Sequence, residues 1–214
     1  MRGECQIAKI KANINTDDVN KWLEKGIQER STLAAQNQEL QKAIEEQNKQ
    51  IEELKRQLNN KSSDTDVAKL KVEISKVDNA FMSNQKIETG NRFYFNGNYE
   101  NAILEYSQAI ALNSQNAISY RNRGAAYANL HEYARAASDY SNAIELEPNN
   151  ELAYIGRGAA YIYLQEYNKA IKDLTKAIGL NPYNSMSYYN RAICYQKIGS
   201  NEKAQLDFAR AKEL

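Results

Sequence analysis

Between Ser83 and Leu214 the chain repeats itself every 34 residues, and a period of that length admits few folds. Ala109, Ala143, Ala177 and Ala211 stand 34 apart, as do Leu112, Leu146, Leu180 and Leu214. A small residue (Gly90, Gly124, Gly158, Ala192) is followed three positions later by an aromatic one (Phe93, Tyr127, Tyr161, Tyr195). A second alanine column (Ala102, Ala136, Ala170, Ala204) is followed four positions later by Tyr106, Tyr140, Leu174 and Phe208. Tyr120, Gly124 and Tyr127 recur at helical spacing in the first half of a unit, and Ala136, Tyr140, Ala143 and Ile144 in the second. Each unit therefore reads as a helical hairpin, with Asn149-Asn150 or Pro182-Tyr183-Asn184 turning the chain to the next. A single hairpin cannot bury its apolar face, so the units 83–116, 117–150, 151–184 and 185–214 are expected to fold as one stack.

These columns, with Pro148 and Pro182 closing the middle two units, resemble the tetratricopeptide repeat. The resemblance covers 83–214 and implies an all-α fold, a right-handed superhelical solenoid of four helix-turn-helix units preceded here by a coiled-coil stalk. The fourth unit reads as terminal: Lys212 stands where inner units carry Ile110, Ile144 and Ile178, and Gln205 where they carry Ile103, Ala137 and Ile171. Polar residues suit the outer face of an end repeat, so the array is expected to end near Leu214 with no extra capping helix.

Ahead of the repeats, residues 6 to 14 alternate apolar and polar and predict a short strand. A single strand lacks a partner, so it either pairs with a symmetry mate or, the preferred reading, residues 1–15 are the remnant of a truncated domain. Thr16, Asp17 and Asp18 predict a helix start, and 16–60 a long helix. Along it Leu33, Leu40, Gln47 and Leu54 form one heptad column, and Asn37, Ile44, Ile51 and Leu58 the other. That pattern predicts a parallel coiled coil, a homodimer first and a trimer second, with Asn37 helping to fix register. The alternative is a solvated single helix supported by pairs such as Glu45 with Lys49 and Glu52 with Arg56. Asn59 to Asp64 breaks the helix, and Val67, Leu70, Ile74, Val77 and Phe81 begin a new stripe out of phase with the first. Residues 61–82 are thus expected to be a linker and a second helix, capping the array, joining an oligomer contact, or folding back on the coil; capping is the preferred reading.

The sequence offers little for catalysis. With 28 basic and 27 acidic residues there is no nucleic-acid footprint, and no apolar run approaches the ~20 residues of a membrane span. The charged start shows no secretory signal, so the default compartment is cytoplasmic, with export left open for a chain that begins after a removed leader. His131 is the lone histidine and falls in a turn; Cys5 and Cys194 are too far apart in sequence to form a metal-type cluster, and Cys194 sits in a column of small residues. No metal, cofactor or enzyme activity is expected. Arg123, Arg157 and Arg191 share a period with Glu105, Asp139, Asp173 and Asp207, which predicts repeated ion pairs, either within a unit or between neighbours.

What remains is the concave face that the resemblance assigns to the first helices. The residues expected to bind a peptide or helix there are Asn91, Tyr94, Ile118, Arg121, Asn122, Leu152, Ile155, Met186, Tyr189, Asn190 and Ile193, an apolar wall with scattered amides. Asn84, Ile87, Ile162 and Tyr163 look inward too, and Ile155 and Ile193 are equally placed to pack between repeats. Chaperone-binding members clamp a terminal carboxylate with Lys, Asn, Asn, Lys and Arg. Asn91 and Asn122 match, whereas Ile87, Leu152 and Gly156 replace the three basic residues, which argues against that ligand. The expected role is a protein-interaction adaptor, oligomerising through the coil. The alternatives are a structural part of a larger protein and an assembly chaperone.

Overall fold

The computed structural model describes the backbone of residues 16–60 and 63–214, and side chains from Ser31 onward apart from Leu33 and the break at 61–62. The strand expected over 6–14, and the side chain of Leu33, lie outside the described residues. Every described element is a helix: α1 Thr16–Asn59, α2 Asp64–Phe95, α3 Tyr99–Leu112, α4 Ala117–Asn129, α5 Tyr133–Leu146, α6 Glu151–Tyr163, α7 Tyr167–Leu180, α8 Ser185–Lys197 and α9 Asn201–Glu213. The chain divides into two compact units, 1–43 and 44–214, so that α1 contributes to both.

In the first unit Leu40 and Gln36 are buried and Asn37 half-buried. The second unit holds the last turns of α1 and the stack α2 to α9, in which each helix packs on the next. Its boundaries follow from local chemistry. Asn116, Asn150 and Asn184 cap α4, α6 and α8, their side-chain oxygens accepting backbone N–H groups of the first turn. Between the two helices of each hairpin the chain turns through the left-handed region, at Gly97 (φ 73°), His131 (φ 60°), Gln165 (φ 60°) and Gly199 (φ 79°).

Small residues then let the helices close. Ala102, Ala136 and Ala170, and Ala109, Ala143 and Ala177, have no exposed surface, and Tyr106 and Leu174 fill the space beside them. A Cβ on Gly124 would come within 3.2 Å of the Ala136 carbonyl oxygen, so the glycine column marks a close approach of α4 to α5.

The arginine columns pair within each unit. Arg123 grips Asp139 with two parallel bonds (2.7 and 2.9 Å), and Arg157 with Asp173 and Arg191 with Asp207 repeat the fork. The remaining Nη1 of each arginine donates at 3.0 Å to a hydroxyl of the preceding hairpin, Ser107, Ser141 or Thr175. A within-unit pairing leaves Glu105 without an arginine, because Thr89 stands in that column. Lys86, three positions before Thr89 in the same helix, answers it with a 3.0 Å ionic contact.

Two features bear on the helices ahead of the repeats. The helix expected to end near residue 82 runs unbroken into the first repeat, since α2 is a single helix from Asp64 to Phe95. Ser83, the residue type that could start a new helix there, donates its hydroxyl to the Ala109 carbonyl oxygen at 2.9 Å and caps nothing. The stripe expected to meet a second copy is largely covered within one chain: Leu40, Ile51 and Leu54 are 4%, 5% and 7% exposed, and Ile44, Gln47 and Leu58 are half-buried.

Candidate functional site

The first helices of the repeats, α4, α6, α8 and the end of α2, present the columns expected to line a groove, and the structure sorts these residues by depth. Asn91 and Asn122 lie at the bottom. The Asn91 side-chain oxygen accepts both the Tyr106 hydroxyl (2.7 Å) and the Asn122 amide (2.9 Å), so the amides bond the scaffold itself. Burial pushes the Tyr106 hydroxyl far above its ordinary range, fixing it as a donor. Ile155, 8% exposed, is buried.

Arg121 is half-buried, its Nε 3.4 Å from the Asn122 side-chain oxygen. Burial lowers its pKa, and the field of Glu147 works against that shift. Tyr94 accepts the Asn129 amide at 2.8 Å and meets Tyr99 edge-on.

The surface layer is different. Leu152 and Tyr189 are 40% and 50% exposed, and Ile118, Met186, Asn190 and Ile193 are half-buried around them. Tyr189 rests its ring against Phe208 of α9 at 5.6 Å. Tyr163, still more exposed, stacks flat on Tyr133 at 4.3 Å. The sequence placed Tyr163 on this face but not its partner. The only hint was that Tyr99, Tyr133 and Tyr167 recur at the start of the second helices.

At the clamp positions the chemistry is apolar. Ile87 has no exposed surface, and a Cβ built on Gly156 would collide with the ring of Tyr140. Tyr140 thus fills the volume into which a basic side chain at 156 would reach. Among the described residues no group of three His, Cys, Asp or Glu side chains could hold a metal, and no described helix is long and apolar enough to cross a membrane.

Family models agree with this geometry. Models described as TPR repeat and Tetratricopeptide repeat match residues 90–131, 117–150, 152–184 and 174–206. The chain belongs to the tetratricopeptide repeat family. It is similar to Hsp70-Hsp90 organizing protein 3 of Arabidopsis thaliana, 40% identical over 52 residues, which is 24% of this chain and only 9% of that protein. Among solved structures, the first TPR of Spaghetti (RPAP3) bound to HSP90 peptide SRMEEVD superposes with a TM-score of 0.56 at 29% identity, over 56% of this chain and 95% of that one. The Arabidopsis OM64 TPR domain gives a TM-score of 0.55 at 31% identity, over 56% and 98%.

Proposed function

We propose that this chain is a non-enzymatic adaptor whose second to fourth repeats hold a peptide, extended or helical, on their concave face. The observation that carries the reading is the exposure of Leu152 and Tyr189, 40% and 50%, in columns whose deeper members are packed or hydrogen-bonded. Large apolar side chains left on a rigid wall are suited to serve as anchors. The related domain solved with an HSP90 peptide supports peptide capture as the mode of action. The ligand differs in kind, because Ile87, Leu152 and the Gly156–Tyr140 contact leave no basic clamp for an acidic terminal tail.

A displayed random-peptide library panned on the wild-type chain tests this. Selected peptides should lose at least about 30-fold in affinity on the double variant Leu152→Asp, Tyr189→Asp, the equivalent of one ~2 kcal/mol anchor, with the circular dichroism unchanged. Undiminished binding to that folded variant would sink the concave-face reading and favour the alternative in which the repeats serve as a structural part of a larger protein. Oligomerisation through Leu33, Asn37, Leu40, Ile44, Gln47, Ile51, Leu54 and Leu58 is a proposal of the same standing. Pairing between copies would require α1 to give up the contacts that already cover Ile51 and Leu54, and light scattering at tens of micromolar decides it.

A further inference from the structure

Asn84 belongs to the concave column continued by Ile118, Leu152 and Met186, yet it is 7% exposed where Leu152 is 40% exposed. Its side chain is engaged at both ends. The amide nitrogen donates to the Gln47 side-chain oxygen of α1 at 3.1 Å, and the oxygen accepts the amide of Asn116, the residue that caps α4, at 3.3 Å. In one straight helix residues 47 and 84 would be roughly 55 Å apart at ~1.5 Å per residue, so α1 and α2 lie against each other at this point and do not continue in one line.

The α1 face that carries Gln47 also carries Ile44, Ile51 and Leu54, at three- and four-residue steps. With Gln47 held at Asn84 and only four residues separating the two helices, residues 48–59 must run back along α2, where Val67, Leu70, Ile74, Val77 and Phe81 are half-buried, and this arrangement accounts for the burial of Ile51 and Leu54. On the opposite face Glu45, Glu46, Lys49, Glu52 and Glu53 are exposed. An amphipathic helix thus already sits at Asn84, bonded there through Gln47 and with Ile51 and Leu54 of the same face buried.

We propose that this seat is a helix-binding subsite of the first repeat, kept shut by residues 44–59 of the chain's own α1 and opened when α1 lifts away. The partner that fits it has the chemistry of α1: an amphipathic helix with aliphatic residues at three- and four-residue steps around one amide side chain. Release of α1 returns Asn84 to the groove and lengthens its floor by one repeat. Because Asn84 also holds the cap of α4, the state of the seat is sensed at the start of the second repeat. None of this depends on Leu152 or Tyr189.

The test uses the full chain and a labelled synthetic peptide of residues 40–59. In the chain carrying Ile51→Asp and Leu54→Asp the internal helix cannot hold its place, and the peptide should bind about tenfold or more tightly than to wild type, which is the penalty for a seat free less than a tenth of the time. Equal affinity for both chains overturns the proposal. So does binding that survives Asn84→Arg in the same background, because the peptide would then be pairing with α1 and not sitting on α2. Should the doubly charged chain fail to fold, Gln47→Ala serves instead: amide exchange over 44–59 should quicken with α5 to α9 unchanged, and an unaltered rate counts against the seat. Leu152→Asp with Tyr189→Asp should leave this peptide's binding as it was, so the reading of the later repeats and this one fail separately.

Discussion

Cys194 has no exposed surface, and burial pushes its thiol from the ordinary 9.0 up to about 11. The physical consequence is a pH dependence with a definite sign. Because the folded-state value is raised, the folded chain holds the proton where the unfolded chain has released it. Its contribution is complete below pH 9 and is lost as pH rises towards about 11. Thermal melts of wild type and Cys194→Ala should therefore differ by a constant below pH 9 and diverge above it, wild type losing on the order of 2 kcal/mol more. Labelling at pH 8 with a thiol reagent should leave Cys194 untouched in the folded chain. A second residue-scale cost sits in the turns. Gln165 takes φ 60° where the first and fourth units use glycine, and a side chain in that region is strained by ~1–2 kcal/mol. Gln165→Gly relieves that strain and gives back part of it as chain entropy, so the melting temperature should rise, by up to about 1 kcal/mol of stability. His131 takes the same φ but also bonds the Tyr133 hydroxyl at 2.7 Å, so the same change there should gain less.

At the scale of the helices, the arginine forks tie each hairpin to itself and to the one before. The Asp173 carboxylate is 6% exposed, and removing Arg157 would leave it buried without its partner. Arg157→Ala should thus cost about 3 kcal/mol in chemical denaturation, as for other broken buried pairs. Lys86→Ala removes a single contact from a lysine that is 32% exposed, and should cost under about 1 kcal/mol. A similar loss for both would refute the fork as the stronger tie. That such pairs would form was legible in the sequence, since acids and arginines share one period; which acid each arginine takes was not, because both choices satisfy the spacing. The hairpins themselves were legible because glycine, alanine, aromatic and asparagine columns all point to the same helices. The run of α2 through residue 82 was hidden because the repeat columns begin at Ser83, a residue type that caps helices, whereas here its hydroxyl donates to the Ala109 carbonyl oxygen. Likewise the α1 stripe declared that one face would be buried, while a period of seven cannot say whether a second copy or the same chain buries it. For the groove, spacing grouped these residues into columns but could not give their depth, and Asn91 and Ile155 are buried while Leu152 and Tyr189 are exposed.

Across the whole stack, stability depends on how many neighbours each helix has. Inner hairpins are covered on both sides, and their alanine columns have no exposed surface. The last helix is covered on one side: α9 touches α8, its buried residues are Ala204 and Asp207, and Leu206 is 72% exposed beside the exposed Gln205 and Lys212. In a linear array the free energy of opening a segment follows the interfaces it must break, so opening should start there and move inward. At the other end α2 extends beyond the first repeat and the end of α1 is bonded to it through Gln47 and Asn84, with Ile51, Leu54 and Asn84 all buried. Amide exchange should therefore be graded along the molecule, fastest in α9, slower in α8, and slowest in α4 to α6. The gradient is also a test of the seat at the first repeat. Lifting α1 by Ile51→Asp and Leu54→Asp should speed exchange in α2 and leave α9 unchanged, since each repeat feels only its neighbours. Uniform exchange from α2 to α9 would mean that the chain opens as one block, and the nearest-neighbour account of its stability would have to be abandoned.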